Sequence, residues 1–151
     1  MTEPAEIQRP PRTRRQMATL LSWAGVAPFL IWAVVAWSGA PGWLMKLLVG
    51  YGVLTLAFMN GTLWAGALAH PERPEAPLVA SIVLVLAALP ALLLPAVSAS
   101  ALLAVLFVLH WVAEYAWIRD SQPRWYKGLR TATSAAVVAL LVLALVLALG
   151  R

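Results

Sequence analysis

Two ionisable side chains, those of His110 and Glu114, interrupt an apolar run that is long enough to cross a lipid bilayer. Because they are four residues apart, both lie on the same face of the predicted helix. Ionisable groups at bilayer depth are costly and are typical of proton pathways, ligand sites and ion pairs. An imidazole followed one turn later by a carboxylate would provide two steps of a proton relay.

A second apolar segment carries polar side chains at matching depths. Counted from the predicted inner ends of the two segments, Asn60 and His110 are both nine residues deep, whereas Trp64 and Glu114 are both five residues deep. At about 1.5 Å per residue, the members of each pair lie at the same level of the bilayer. We therefore expect Asn60 to contact His110 and Trp64 to contact Glu114 in one intramembrane polar cluster.

The proton relay is one of three functional interpretations of this cluster. It lacks a third step, because the outer half of the same helix is apolar and the path would need Ser22, Tyr51, Thr55 or water. A metal ion or a haem fits poorly, because metals take three or four ligands and the other histidine, His70, lies at the far inner end of its segment. A quinone headgroup pocket stays open.

The competing interpretation of the cluster is structural. Polar side chains commonly form hydrogen bonds between membrane helices, and Glu114 would then reach Arg119 or Arg130. The serines have no Gly-x-Ser-x-Gly context, and the chain has neither a phosphate-binding glycine loop nor an HExxH motif. We expect no enzymatic activity, no metal site and no bound cofactor.

Composition indicates which elements position these residues. Of the 151 residues, 62% are hydrophobic, 11% are charged and none is cysteine. Soluble domains carry about 25% charged residues, so a bilayer is the expected solvent, and the lack of cysteine excludes disulfides and thiolate sites. We interpret the net charge of +5 as a topology signal that also favours anionic lipid headgroups, with no nucleic-acid partner.

The long apolar runs predict an all-α polytopic bundle of five transmembrane helices in a single domain, residues 17–150. The expected spans are residues 17–37, 43–69, 77–94, 99–118 and 131–150. Residues 1–16 are expected to form a flexible basic tail. Pro90 should kink the third helix near its outer end, because proline removes a backbone donor.

The positions of the basic residues predict the orientation of the bundle. Nine of the eleven lysine and arginine residues lie in the N-terminal tail, the second loop and the fourth loop. Positively charged loops remain in the cytoplasm, so the N-terminus is expected there and the C-terminus outside. We expect a multi-pass protein of the bacterial inner membrane, with the mitochondrial inner membrane as the alternative.

Small residues recur every four positions along the second helix, at Ala57, Gly61, Ala65 and Ala69. Such a small-residue stripe lets another helix backbone approach closely. The simplest interpretation is packing among the helices of the bundle itself. The alternatives are a homo-oligomer and docking on a larger membrane-protein partner.

The fourth loop combines charged and aromatic residues that suit a membrane surface. The predicted headgroup contacts are Asp120, Arg124, Trp125, Tyr126, Lys127 and Arg130. Aromatic rings anchor a chain at headgroup level, and basic groups face lipid phosphates. Asp120 is expected to pair with Arg124 or Arg130, and Thr131 or Thr133 is expected to cap the fifth helix.

Three short motifs together form a recognisable pattern. They are Gly25-Val-Ala-Pro28-Phe29, then Tyr51 followed by Phe58-Met-Asn-Gly61-Thr-Leu-Trp64, then Asp120 with Pro123-Arg-Trp125-Tyr126 and Leu129-Arg130. Over about residues 20–145 the chain resembles the DUF3429 family, which includes the eukaryotic transmembrane protein 69 proteins, although that family's pattern has glycine at the position of Ala65. The resemblance implies a polytopic membrane protein of about five helices with no assigned activity. It also makes Asp120, Trp125, Tyr126 and Arg130 candidates for what the family shares.

These observations favour a structural or accessory role in a larger membrane complex, either as a small subunit or as an assembly partner. The alternative function is a proton-linked transporter or channel that uses Glu114 and His110. A third interpretation is a lipid or quinone binding module centred on the basic fourth loop.

Overall fold

The computed structural model describes residues 12–39, 41–70 and 74–150, and within these ranges all regular structure is helical. The five α-helices are α1 (Arg12–Ser38), α2 (Gly42–Ala69), α3 (Ala76–Ala88), α4 (Ala96–Trp117) and α5 (Arg124–Leu149). Two short 3-10 helices, Leu89–Leu92 and Arg119–Ser121, follow α3 and α4. The predicted all-α class is therefore confirmed.

Four of the helices, α1, α2, α4 and α5, are long and apolar enough to cross a membrane. The third predicted span is shorter, because α3 has 13 residues and a 3-10 helix of four residues follows it. Pro90 lies in this 3-10 helix and has no N–H with which to continue the α-helical ladder. Instead of a kink within one α-helix, the structure has a change of helix type.

Helix α1 begins earlier than the sequence predicts. It starts at Arg12, so residues 12–16 are helical and the prediction of a flexible tail is wrong for them, whereas residues 1–11 lie outside the described ranges. At the other end, Gly39 has a φ of 71°. Glycine adopts this left-handed conformation without a steric penalty, and the chain turns there from α1 toward α2.

Helix α5 also begins earlier than predicted. Pro123 occupies its N-cap position, and the Pro123 carbonyl accepts two backbone hydrogen bonds from the first turn, 2.9 and 3.0 Å long. Thr133 lies inside the helix, where its hydroxyl donates to the carbonyl of Leu129 at 3.0 Å. The predicted cap by Thr131 or Thr133 is therefore wrong, and most of the predicted fourth loop is helical.

Helix α4 is the central element of the bundle. It packs against α2, α3 and α5, while α1 packs mainly along α5. The ring of Phe29 meets those of Tyr51 and Phe107 edge-on, with centroid distances of 5.5 and 5.7 Å. Edge-to-face pairs are a favourable aromatic geometry. This buried aromatic group joins α1, α2 and α4.

Close helix contacts on α2 are made by glycines outside the small-residue stripe. A Cβ atom at Gly52 would lie 2.9 Å from Leu103 Cδ1, and one at Gly66 would clash with the side chain of Ile118. Both neighbouring side chains belong to the α4 region, so these glycines let α2 approach α4.

The small-residue stripe itself points out of the bundle. Gly61, Ala65 and Ala69 are exposed, and Ala57 is half-buried. A Cβ atom at Gly61 would have no other side chain within 4 Å. The simplest interpretation of the stripe, packing within the bundle, is therefore wrong, because α2 turns a different face toward α4.

Candidate functional site

The polar cluster begins with a contact between α4 and α2. His110 and Asn60 are 0% and 2% exposed, and His110 Nδ1 lies 2.9 Å from Asn60 Oδ1. Both side chains occupy one level of the bundle, as the equal depths predict. Glu114, one turn further along α4, is 4% exposed. All three polar groups that the sequence singles out are therefore buried, and two of them, His110 and Asn60, meet at the α2–α4 contact.

Arg130 of α5 completes the cluster. Its Nε and Nη2 groups donate to the two carboxylate oxygens of Glu114 at 3.0 and 2.9 Å. Gln122, in the turn between α4 and α5, donates a further hydrogen bond of 2.7 Å to Oε1 of the same carboxylate. The side chain of Arg130 is only 12% exposed. The predicted reach of Glu114 to an arginine is therefore present, with Arg130 as the partner.

Arg130 also contacts His110. Arg130 Nη2 lies 3.2 Å from His110 Nε2, and a guanidinium group only donates hydrogen bonds. Nε2 also lies 3.6 Å from Glu114 Oε2, so one ring nitrogen of His110 faces the ion pair and the other faces Asn60 Oδ1. The Asn60 amide nitrogen is left as a buried donor without a partner among the described residues.

The carboxylate of Glu114 accepts hydrogen bonds at both of its oxygens. Three hydrogen bonds from Arg130 and Gln122 hold it, and two of them form a bidentate pair with a guanidinium, the strongest common arrangement for a carboxylate. A buried carboxylate held in this way stays ionised opposite its cation. It is suited to fixing α4 against α5, and less suited to releasing and taking up protons.

Trp64 does not belong to the cluster, and the prediction that it meets Glu114 is wrong. Its side chain is 45% exposed and lines an outer groove with Leu78 and Val79 of α3. At this level α2 presents Leu63 and Gly66 to the interior, where Ile118 packs. Equal depth gives the level of a residue but not the direction in which its side chain points.

The loop residues divide between the surface and the interior. Lys127 Nζ lies 4.0 Å from Asp120 Oδ1, so Asp120 pairs with Lys127 and not with Arg124 or Arg130 as predicted. Arg130 faces the buried cluster and is removed from the predicted headgroup set.

The predicted anchor residues of the loop pack together near the start of α5. The rings of Trp125 and Tyr126 are 5.6 Å apart, and the Arg15 guanidinium lies 5.5 Å from the centroid of Trp125. This cation–π contact ties the beginning of α1 to the beginning of α5. Arg119, the other predicted partner of Glu114, lies over the ring of Tyr115 at 4.3 Å.

A cavity of about 380 Å³ lies between α1, α2 and α5. Its polar lining includes Ser22, Tyr51 and Thr55, the residues that a proton path through the outer half would need, and it extends to Arg130. The Tyr51 hydroxyl donates to the Gly25 carbonyl at 2.7 Å. The sequence indicates these polar positions individually, but nothing in their spacing predicts a shared cavity.

Within residues 12–39, 41–70 and 74–150, no group of three or more histidine, aspartate or glutamate side chains could hold a metal ion. Arg130 contacts both His110 and Glu114, and it is the counter-ion of the Glu114 carboxylate. The arrangement therefore supports an ion-paired helix contact beside a cavity.

The family model described as protein of unknown function (DUF3429) matches residues 14–146. No curated protein and no solved structure matches the chain.

Proposed function

The chain belongs to the DUF3429 family, and we propose that it is a structural or accessory subunit, or an assembly partner, of a larger membrane complex. The observation that supports this role is the outward position of the small-residue stripe on α2. Exposed small residues give a partner helix close access to the backbone, and the helices of the bundle itself do not use this face.

The proposal includes a five-span topology with the N-terminus in the cytoplasm of a bacterial cell. Helix α3 and the following 3-10 helix contain 13 and four residues, which gives a length of about 28 Å at the rises of the two helix types. The hydrocarbon core is about 30 Å thick and spanning helices have about 17–25 residues, so this segment would be a fifth span at the short end of that range. The excess of basic residues on one side supports the orientation.

The ion pair favours this role over proton transport. A relay carboxylate must alternate between its protonated and ionised forms, whereas Glu114 is held by Arg130 and Gln122 through three hydrogen bonds. Protonating it would leave the buried Arg130 cation without its counter-ion, which is costly. The cluster is better suited to keeping α4 and α5 in fixed register.

Gly61→Ile tests the docking role, because it places a branched side chain on the stripe where nothing else is packed. The matched control is Gly128→Ile on α5, where an added Cβ also meets nothing within 4 Å. Each variant is tagged at the C-terminus, extracted from its native membrane in a mild detergent and weighed by native mass spectrometry.

We expect a partner in fixed ratio with the wild-type chain and the Gly128→Ile variant, and its loss from Gly61→Ile. A monomeric wild-type chain, or a partner retained equally by both variants, would contradict the proposed docking face. A homo-oligomer that Gly61→Ile dissociates would place the same stripe between copies of this chain and would contradict the accessory role.

A further inference from the structure

The cavity between α1, α2 and α5 is separate from the small-residue stripe and has a different chemical character. Its walls are mainly apolar, and its volume of about 380 Å³ lies within the range of about 300–1,000 Å³ that is typical of small-molecule sites. We propose that this cavity binds a neutral, lipid-soluble molecule with a carbonyl-bearing ring, of the quinone class, and that Arg130 and Thr55 hydrogen bond to its oxygens.

The polar groups around the cavity offer donors. Among the described residues the hydroxyls of Ser22 and Thr55 have no hydrogen-bond partner, and neither has Nη1 of Arg130. The Tyr51 and Thr133 hydroxyls already donate to backbone carbonyls. A ligand that supplies carbonyl oxygens would satisfy these donors, whereas a purely hydrocarbon ligand would leave them unpaired.

The charge of the site favours a neutral ligand over a lipid phosphate. Arg130 is the charged residue in the cavity lining, and its charge is balanced by Glu114 at 2.9 Å. An anionic phosphate beside this pair would bring a second negative charge close to Glu114 in a region of low dielectric constant. A carbonyl oxygen can accept from Nη1 without disturbing that balance.

The cavity has an apolar rim at the outer surface of the bundle. Leu21 of α1 and Leu54 and Phe58 of α2 line it, and Phe58 is 83% exposed. Contacts between α1 and α2 are sparse compared with those between α1 and α5. An apolar tail attached to the bound ring can therefore leave between α1 and α2 and lie along exposed apolar side chains.

Binding of 2-decyl-1,4-benzoquinone to the full chain in phosphatidylcholine nanodiscs tests this inference. Two variants separate volume from hydrogen bonding: Thr55→Leu narrows the cavity and removes the hydroxyl, whereas Thr55→Val keeps the shape and removes only the hydroxyl. The control is Val142→Leu, at an exposed position on α5 that does not line the cavity. Thr55 is outside the ion-paired cluster, so both variants should fold.

We expect saturable binding of one quinone per chain, weakened about tenfold or more by Thr55→Leu and several-fold by Thr55→Val, since about 1.4 kcal/mol corresponds to a factor of ten. Val142→Leu should bind like the wild type, and decylbenzene should not compete. Unsaturable binding, equal binding by all variants, competition by decylbenzene or displacement by phosphatidylglycerol would each overturn the inference. This outcome does not depend on whether the chain has a membrane-protein partner.

Discussion

Arg130 and Glu114 form two hydrogen bonds of 3.0 and 2.9 Å that join α5 to α4 inside the bundle. Each side chain supplies the charge that the other needs, and Gln122 fills a further acceptor position on the carboxylate. In a buried pair of this kind, the loss of one partner costs more than the pair itself contributes, because the remaining charge is left uncompensated.

Glu114→Gln should therefore destabilise the fold by about 3–5 kcal/mol, the range found when one partner of a buried ion pair is removed. The measurement is the midpoint of thermal unfolding in detergent. Glu75→Gln is the control, because Glu75 is exposed and makes no side-chain capping hydrogen bond. If both variants unfold at the same temperature, the pair has no structural role. The double variant Glu114→Leu with Arg130→Met should recover most of the loss.

The same carboxylate provides a test of the transport alternative. Proton flux into liposomes that contain the wild-type chain should equal the flux with Glu114→Gln and the flux of protein-free liposomes, because Glu114 is held by Arg130 and Gln122. A protonophore added at the end verifies that the liposomes are sealed. A wild-type flux that disappears in the Glu114→Gln variant would instead support a proton pathway through this residue.

Replacing two glycines of α2 by alanine should have different effects on the stability of the fold. Gly66→Ala should destabilise the fold by about 1–3 kcal/mol, the usual cost of overpacking, because its Cβ would clash with Ile118. Gly61→Ala should be neutral or stabilising by up to about 1 kcal/mol, because Ala favours helix and this position is open. Unfolding midpoints measure both. In an Ile118→Ala background, which removes the clashing side chain, Gly66→Ala should have little further cost, and an undiminished cost there would contradict the contact as the cause.

The basic surface near the start of α5 should select anionic lipids through Arg124 and Lys127. Replacing both by glutamine should reduce the preference for phosphatidylglycerol over phosphatidylcholine by roughly tenfold or more, since each basic residue near a membrane surface contributes about 1 kcal/mol. Lipids retained in native mass spectra measure this preference. Lys46→Gln, near the start of α2, is the control. If Lys46→Gln reduced the preference for phosphatidylglycerol equally, the lipid selectivity would not be localised at α5.

The sequence predicts the helical class and the level of each polar group. Of the five spans predicted from long apolar runs, four coincide with helices that are suitable for spanning a membrane, and equal depths correctly bring Asn60 to His110. Both predictions rest on distance along a helix, which the rise per residue fixes.

Direction around a helix axis is harder to predict, and the errors come from it. The small-residue stripe and the ring of Trp64 both point outward. The spacing of the small residues shows that they share one face of α2, but it does not show whether that face points into the bundle or away from it. The predicted beginning of α5 at residue 131 places Arg130 at the membrane surface. The observed beginning of α5 at Arg124 puts Arg130 on a helix facing α4. The sequence names Arg119 and Arg130 as possible partners of Glu114, and the helical position of Arg130 decides between them.

The ion pair also bears on how the chain enters the bilayer during synthesis. Helix α4 carries Glu114 and α5 carries Arg130, and the cost of a charged side chain in an inserting helix reaches about 2.5–3.5 kcal/mol at the helix centre. If each helix left the translocon alone, both costs would arise in succession. Release of α4 and α5 together as one helical hairpin, joined by the short turn that holds Gln122, would deliver the two charges to the lipid already neutralised.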